Sequence, residues 1–288
     1  MLRILLCLLL TISVTGLYAQ DSIYVEKYLE EAERGNAEAQ YNLGNCYALK
    51  HSDYTKAVEW WTKAAEQGIE DAQFNLAFAY EKGQGVSQNY GMAERWYMIA
   101  AKNGYVKAQC NLGYLYIAMY DYDSAIEWFE KAANQGHLIS QYNLAACYIK
   151  INEYGKALHW LEIAAEQGYA AAQSDLGTFF VNGYGVDINY NKGLELWQIA
   201  ADKGYIDAIY NLADYYLAGY SGIVDLKKAA MWYTKAADLG DAEAQYNLGL
   251  MYYRGNGVEK DENKATELWK QSAAQGFKLA KRMLEQND

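Results

Sequence analysis

The sequence predicts an all-α solenoid, a right-handed α-α superhelix of seven helix-turn-helix repeats with a capping half-repeat at each end. Two observations carry this. The first is a motif, A-x-A-Q-Y-N-L-G-x-x-Y, then a short break, then K-A-x-x-W-x-x-x-A-A-x-x-G, that recurs seven times. Its closing glycines, Gly68, Gly104, Gly136, Gly168, Gly204, Gly240 and Gly276, stand 36, 32, 32, 36, 36 and 36 residues apart. A fixed period of this size marks a stacked array, which grows by adding units rather than by enlarging one core. The second is the absence of proline from all 288 residues, which suits uninterrupted helices because Pro costs about 3 kcal/mol inside one.

Taken in order, residues 1–19 read as a signal peptide. Arg3 supplies a positive start, the apolar run from Ile4 to Val14 is too short to span a bilayer, and Leu17-Tyr18-Ala19 places a small residue before a cleavage point. Export to the periplasm or the extracellular medium follows, with no membrane span left after cleavage. Residues 20–35 form an N-terminal capping helix closed by Gly35. The repeats occupy 36–68, 69–104, 105–136, 137–168, 169–204, 205–240 and 241–276, and 277–288 form a C-terminal capping helix with Ala280 and Leu284 in register.

Each repeat holds two helices. Ala39, Leu43 and Tyr47 recur in steps of four, and Ala57, Trp61, Ala64 and Ala65 line one face in the second half. One position admits only small residues: Gly44, Ala77, Gly113, Ala145, Gly177, Ala213 and Gly249. A neighbouring helix should cross there. The terminal glycine is the expected C-cap that turns the chain into the next helix. Three repeats carry G-x-G-V between their helices, at Gly83–Val86, Gly183–Val186 and Gly255–Val258. Neither a preceding strand nor a full G-x-G-x-x-G run accompanies it, so it reads as a turn and not a phosphate cradle.

Net charge is −11, which argues against nucleic acid and against anionic lipid surfaces, since both require a basic patch. Cys46, Cys110 and Cys147 read as small packing residues, although a Cys110–Cys147 pair is conceivable. No cofactor or metal set is evident. His51, His137 and His159 are isolated, and no Ser or Cys has a paired base in sequence. No catalytic residue is assigned, and the chain reads as a non-enzyme.

The string Ala37-Glu38-Ala39-Gln40-Tyr41-Asn42-Leu43-Gly44, followed by Lys56-Ala57, Trp60, Lys63-Ala64-Ala65 and Gly68, resembles the Sel-1-like repeat of the tetratricopeptide superfamily. The resemblance implies an adaptor whose concave face grips peptides or protein segments, and bacterial members are often exported. A cysteine-rich branch resembles penicillin-binding or β-lactamase-like proteins, but it carries a cysteine pair in nearly every repeat and this sequence does not. A cell-wall-directed hydrolase and a self-assembling envelope protein stand as alternatives.

The sharpest candidate feature is an Asn column: Asn42, Asn75, Asn111, Asn143, Asn211 and Asn247, with Asp175 in repeat five. Asn is a mediocre helix former, so its recurrence at one mid-helix place needs a reason. The resemblance implies a position on the concave face that can hydrogen-bond a ligand's main chain, since an amide both donates and accepts. An internal ladder tying one helix to the next explains the column equally well. One step before it stand Tyr41, Phe74, Tyr142, Tyr210 and Tyr246; three steps after it stand Phe78 and Tyr114. Aromatics of this kind serve as binding anchors or as core. Four steps before it stand Glu38, Asp71, Asp207 and Glu243, with Lys107 the only base. These acids either complement helix N-termini or favour a neutral or basic partner over one ending in a free carboxylate. The expectation is a monomeric scaffold for a protein or peptide partner.

Overall fold

The computed structural model describes residues 27–50, 52–222 and 224–287. The expected signal segment 1–19, residues 20–26 of the expected first cap, and His51 lie outside them. Helix α1 covers residues 27–33 of the described chain. The seven repeats follow as α2 (Ala37–Lys50) and α3 (Tyr54–Glu66), α4 (Glu70–Lys82) and α5 (Tyr90–Lys102), α6 (Val106–Ala118) and α7 (Tyr122–Asn134), α8 (Leu138–Lys150) and α9 (Tyr154–Glu166), α10 (Ala170–Asn182) and α11 (Tyr190–Asp202), α12 (Ile206–Ala218) and α13 (Leu226–Asp238), and α14 (Ala242–Arg254) and α15 (Glu262–Ala274). Helix α16 (Lys278–Asn287) closes the chain. Every regular element among the described residues is a helix. The chain divides into two compact units, Met1–Ser140 and Gln141–Asp288. Within each, consecutive helices pack on one another.

The small-residue position is where the two helices of a repeat cross. A Cβ on Gly44 would stand 2.5 Å from the Trp61 indole, on Gly113 2.5 Å from the Phe129 ring, on Gly177 2.7 Å from Trp197 and on Gly249 2.5 Å from Trp269. Repeats two, four and six carry Ala77, Ala145 and Ala213 at this place, and the second helix then presents Tyr97, Leu161 or Tyr233. Size is therefore exchanged across the crossing: glycine faces Trp or Phe, alanine faces Tyr or Leu. Close packing leaves no slack for both to be large.

Second helices begin on a side-chain cap in six of seven repeats. Asp53, Asn89, Asp121, Asn189, Asp225 and Asp261 each accept the N–H three residues on, at 2.9–3.1 Å. Such a cap contributes about 1 kcal/mol. The closing glycines end the second helices as expected, Gly68 for example with φ +95°. The G-x-G-V segments are turns with a steric purpose. A Cβ on Gly85 would collide with the Tyr54 carbonyl at 2.2 Å, and one on Gly257 with the Leu226 carbonyl at 2.1 Å. Each long turn thus rests directly on the start of the preceding repeat's second helix.

A buried glutamine column joins the repeats. Gln40, Gln73, Gln109, Gln173 and Gln245 donate through Nε2 to the carbonyls of Ala32, Ala65, Ala101, Ala165 and Ala237 at 3.0–3.3 Å. Those carbonyls belong to the last turn of the preceding helix, where each also accepts the N–H of the closing glycine at 2.9–3.0 Å. The glutamine Oε1 in turn accepts from the residue at the C-cap of its own repeat. Gln67, Gln135, Gln167 and Gln275 donate to Gln40, Gln109, Gln141 and Gln245 at 2.6–2.9 Å, and Lys203 donates to Gln173 at 3.0 Å. In repeat two the C-cap is the shorter Asn103, and Gln73 Oε1 is left buried without a partner. In repeat six both positions turn apolar, to Ile209 and Leu239.

Candidate functional site

The Asn column lies half-buried on the first helices, and it makes bonds within the protein. Asn75 Nδ2 donates to Asn45 Oδ1 of the preceding repeat at 3.1 Å, and that oxygen also accepts Trp61 Nε1 at 3.0 Å. Asn111 donates to the Tyr97 hydroxyl at 2.9 Å, which in turn donates to Glu81 at 2.8 Å. Asn247 donates to the Tyr210 hydroxyl of repeat six at 3.0 Å. Asp175, standing in the same column, accepts from Tyr142 at 3.0 Å. Asn42, Asn143 and Asn211 are half-buried at the equivalent places. In repeats two, three, five and seven the column thus ties helices together, and throughout it keeps part of its surface exposed.

In the first unit the structure brings several of the expected residues into one groove of about 340 Å³. Tyr41 and Asn45 of α2, Tyr54 and Trp61 of α3, and Asn75 and Phe78 of α4 line it, together with Leu49 and Gln84. Leu49 is 82% exposed and Phe78 37%. The lining is thus mostly apolar, with side-chain amides among the rings. That is the usual make-up of a site that takes an apolar group and orients it by a few polar contacts. Asn45 and Leu49 were not singled out from the sequence. Asn45 belongs to the same row as Phe78 and Tyr114, three steps after the Asn column, but that row was read for its aromatics alone.

The remaining aromatics split between burial and exposure. Phe74 is half-buried, its ring centroid 5.6 Å from Tyr97 and 5.7 Å from Tyr105. Tyr114 is 44% exposed, edge-on to Phe129 at 5.4 Å. Tyr142 is half-buried against Tyr169 at 5.1 Å, and Tyr246 against Phe277 at 5.3 Å. On the second helices, Lys63, Lys131 and Lys235 lie over the faces of Trp60, Trp128 and Trp232 at 3.9–4.1 Å. That cover reduces the apolar surface those indoles offer.

The acidic row is exposed, and tyrosines stand near it. Tyr105 donates to Asp71, and Tyr205 and Tyr210 lie near Asp207 and Glu243. Burial, then these carboxylates, push the three phenols above their ordinary range. Asp175 is the carboxylate most altered. Burial raises it from the usual carboxylate range to about 6, the Tyr142 hydrogen bond opposes this, and Asp207 adds to it.

The fold also brings together three residues that the sequence leaves apart. His137 Nδ1 lies 2.8 Å from Ser140 Oγ, and Ser140 lies near the Cys110 thiol. Ser140 has no exposed surface and Cys110 is buried, so no substrate reaches either. Burial also raises the thiols of Cys110 and Cys147 and lowers His137. Cys110 and Cys147 are free thiols, and the trio is a buried polar contact. Among the described residues no three His, Cys, Asp or Glu side chains could hold a metal ion. No helix among them is long and apolar enough to cross a membrane.

The helix pairs and the small-residue crossing recur in the same register through all seven repeats, the glutamine column through six, and the Sel1 repeat matches each repeat. The matched stretches are residues 37–69, 70–105, 106–137, 138–169, 170–205, 206–241 and 242–277. The chain belongs to the Sel1 repeat family. This Sel1 array is similar to a Sel1 repeat protein from Oxalobacter formigenes, with 33% identity and a TM-score of 0.76 over 92% of this chain and 80% of that one. It is also similar to c5321, a protective antigen of uropathogenic Escherichia coli with an SLR fold. There the identity is 31% and the TM-score 0.65, over 90% of this chain and 66% of that one. No curated protein matches the chain. Sel1 repeats mediate protein–protein interaction, and proteins built from them are generally non-enzymatic scaffolds.

Proposed function

We propose that this Sel1 array is a scaffold that captures an extended protein segment on the face formed by its first helices. The groove of repeats one and two carries the reading. Exposed Phe78 and Leu49 offer anchors for an apolar side chain. The amides of Asn45, Asn75 and Gln84 lie beside them, where they can meet the segment's main chain. The exposed acids Glu38 and Asp71 in the first turns of α2 and α4, with a net charge of −11, favour a neutral or basic partner. Export by the segment 1–19 would place that partner in the periplasm or outside the cell.

The test is capture from an envelope extract with the mature protein and with a Leu49→Ser, Phe78→Ser variant. Both side chains are exposed, so the variant keeps the parent's helicity and melting temperature. A partner retained by the parent and lost by the folded variant supports the reading. Equal retention by both removes it.

A further inference from the structure

Five of the seven repeats carry a tryptophan at one position of the second helix: Trp60, Trp96, Trp128, Trp160 and Trp232. Repeats five and seven carry Leu196 and Leu268 there. Four of the indoles share a common seat. Trp60 packs in one core cluster with Ala32 and Leu43, Trp96 with Ala65 and Leu76, Trp128 with Ala101 and Leu112, and Trp232 with Ala201 and Leu212. In each set the alanine comes from the last turn of the preceding repeat's second helix, or of α1, and the leucine from the first helix of the indole's own repeat. The ring therefore closes the space between one second helix and the next.

In repeat five that seat is open. Ala165 of α9 and Leu176 of α10 stand in register with the seating pairs, and they line a groove of about 270 Å³ together with Leu196 and Ile199 of α11. A leucine occupies the place of the indole and does not fill its volume. Three residues after the indole, repeats one, three and six carry Lys63, Lys131 and Lys235, which cover the ring. Repeat five carries Ile199 there, 39% exposed. Glu162 and Glu166 of α9 and Lys192 of α11 also line the groove. Lys192 Nζ lies over the Phe180 ring at 4.1 Å, whereas neither glutamate has an ion-pair partner among the described residues.

We propose that the groove between α9 and α11 takes the indole of a tryptophan from a partner protein, and that Glu162 and Glu166 hold a lysine or arginine beside it in the partner's chain. The chain's own indoles define the occupant, because the same alanine and leucine seat one in four other repeats. Tryptophan is also a leading anchor at protein interfaces, where it fills a preformed pocket. Two carboxylates one helical turn apart, facing a single lysine already held on a ring, select a basic neighbour over an acidic one. Every residue of the site belongs to the second compact unit. The site does not depend on the groove of repeats one and two.

Fluorine NMR tests this with an acetylated, amidated Gly-Trp-Lys-Gly peptide whose indole is fluorinated, beside the same peptide with glutamate for lysine. The lysine peptide should show a saturable shift with the parent, and Leu196→Trp should weaken its binding about tenfold or more, as expected for an anchor denied its pocket. Leu196→Trp installs the residue of five other repeats, and its melting curve verifies folding. Ile199→Ser changes an exposed side chain and should weaken binding in the same direction. The glutamate peptide should bind the parent about threefold or more weakly than the lysine peptide. Changing Glu162→Gln and Glu166→Gln together should remove that difference. A peptide with leucine for tryptophan should not compete. Equal binding of the lysine peptide to parent and Leu196→Trp, or no saturable binding to the parent, overturns the proposal. So does a glutamate peptide bound as well as the lysine peptide. A Leu196→Trp protein that does not fold would show that the place cannot seat an indole, and the proposal would fall with it.

Discussion

Gln135 Nε2 donates to Gln109 Oε1 at 2.8 Å, while Gln109 Nε2 reaches the Ala101 carbonyl at 3.0 Å. The two amides thus tie the C-terminus of one second helix to the next repeat and close that repeat on itself. Repeat two breaks the chain, because Asn103 stands where Gln135 does and the Gln73 oxygen is left buried alone. Changing Asn103→Gln should supply the missing donor. The expected gain is about 0.5–1.5 kcal/mol, read as a higher urea midpoint. Gln109→Ala should cost about 0.5–1.5 kcal/mol by removing both side-chain bonds, while the Ala101 carbonyl keeps the Gly104 N–H and the Gln135 amide keeps the Gly104 carbonyl. A midpoint unmoved in both variants would mean the column carries no stability.

The crossing between first and second helices makes a second prediction. Gly177→Ala places a methyl 2.7 Å from the Trp197 ring and should destabilise the protein by about 1–3 kcal/mol. Adding Trp197→Tyr to it recreates the Ala213–Tyr233 pairing of repeat six and should recover much of the loss. Additive losses in the double variant would contradict the exchange of size across the crossing.

Acid titration of stability isolates Asp175. Its midpoint is raised to about 6 by burial first, above the value of about 3.9 for an unfolded chain. The folded state therefore holds more protons than the unfolded state between pH 4 and 6. The ionised group opposes folding in full above pH 6, and that penalty is released as pH falls. Asp175→Asn should be more stable than the parent at pH 7.5, by on the order of 1–3 kcal/mol. The gap should close as pH falls from 7 to 5. A gap that widens on acidification would show that the carboxylate stabilises the fold when charged.

The array itself was legible in the sequence because the period is the fold: each glycine, alanine and aromatic recurs at the place where its role recurs. The glutamine column was not, although Gln40, Gln73, Gln109, Gln141, Gln173 and Gln245 stand in plain register beside the asparagines. Its signal lies in a coupling. Ile209 and Leu239 turn apolar together in repeat six, and only the folded chain reveals that these places bond across 26–30 residues in five of the repeats. The Asn column was legible as a column. Its partners were not, because Asn45 and Tyr97 reach it from other helices with no fixed spacing. The buried contact of His137, Ser140 and Cys110 likewise joins a turn to two first helices, which no sequence spacing encodes.

The most direct measurement of the central claim is site-specific photocrosslinking. A benzoylphenylalanine placed at residue 78, in the groove, is compared with one at residue 59, where Glu59 lies exposed on a second helix. Each protein is irradiated in envelope extract and the adducts are identified by mass spectrometry. The account predicts a saturable adduct at residue 78, competed by unlabelled parent, and none at residue 59. An adduct formed at residue 59 and absent at residue 78 would place the partner on the second helices and contradict it.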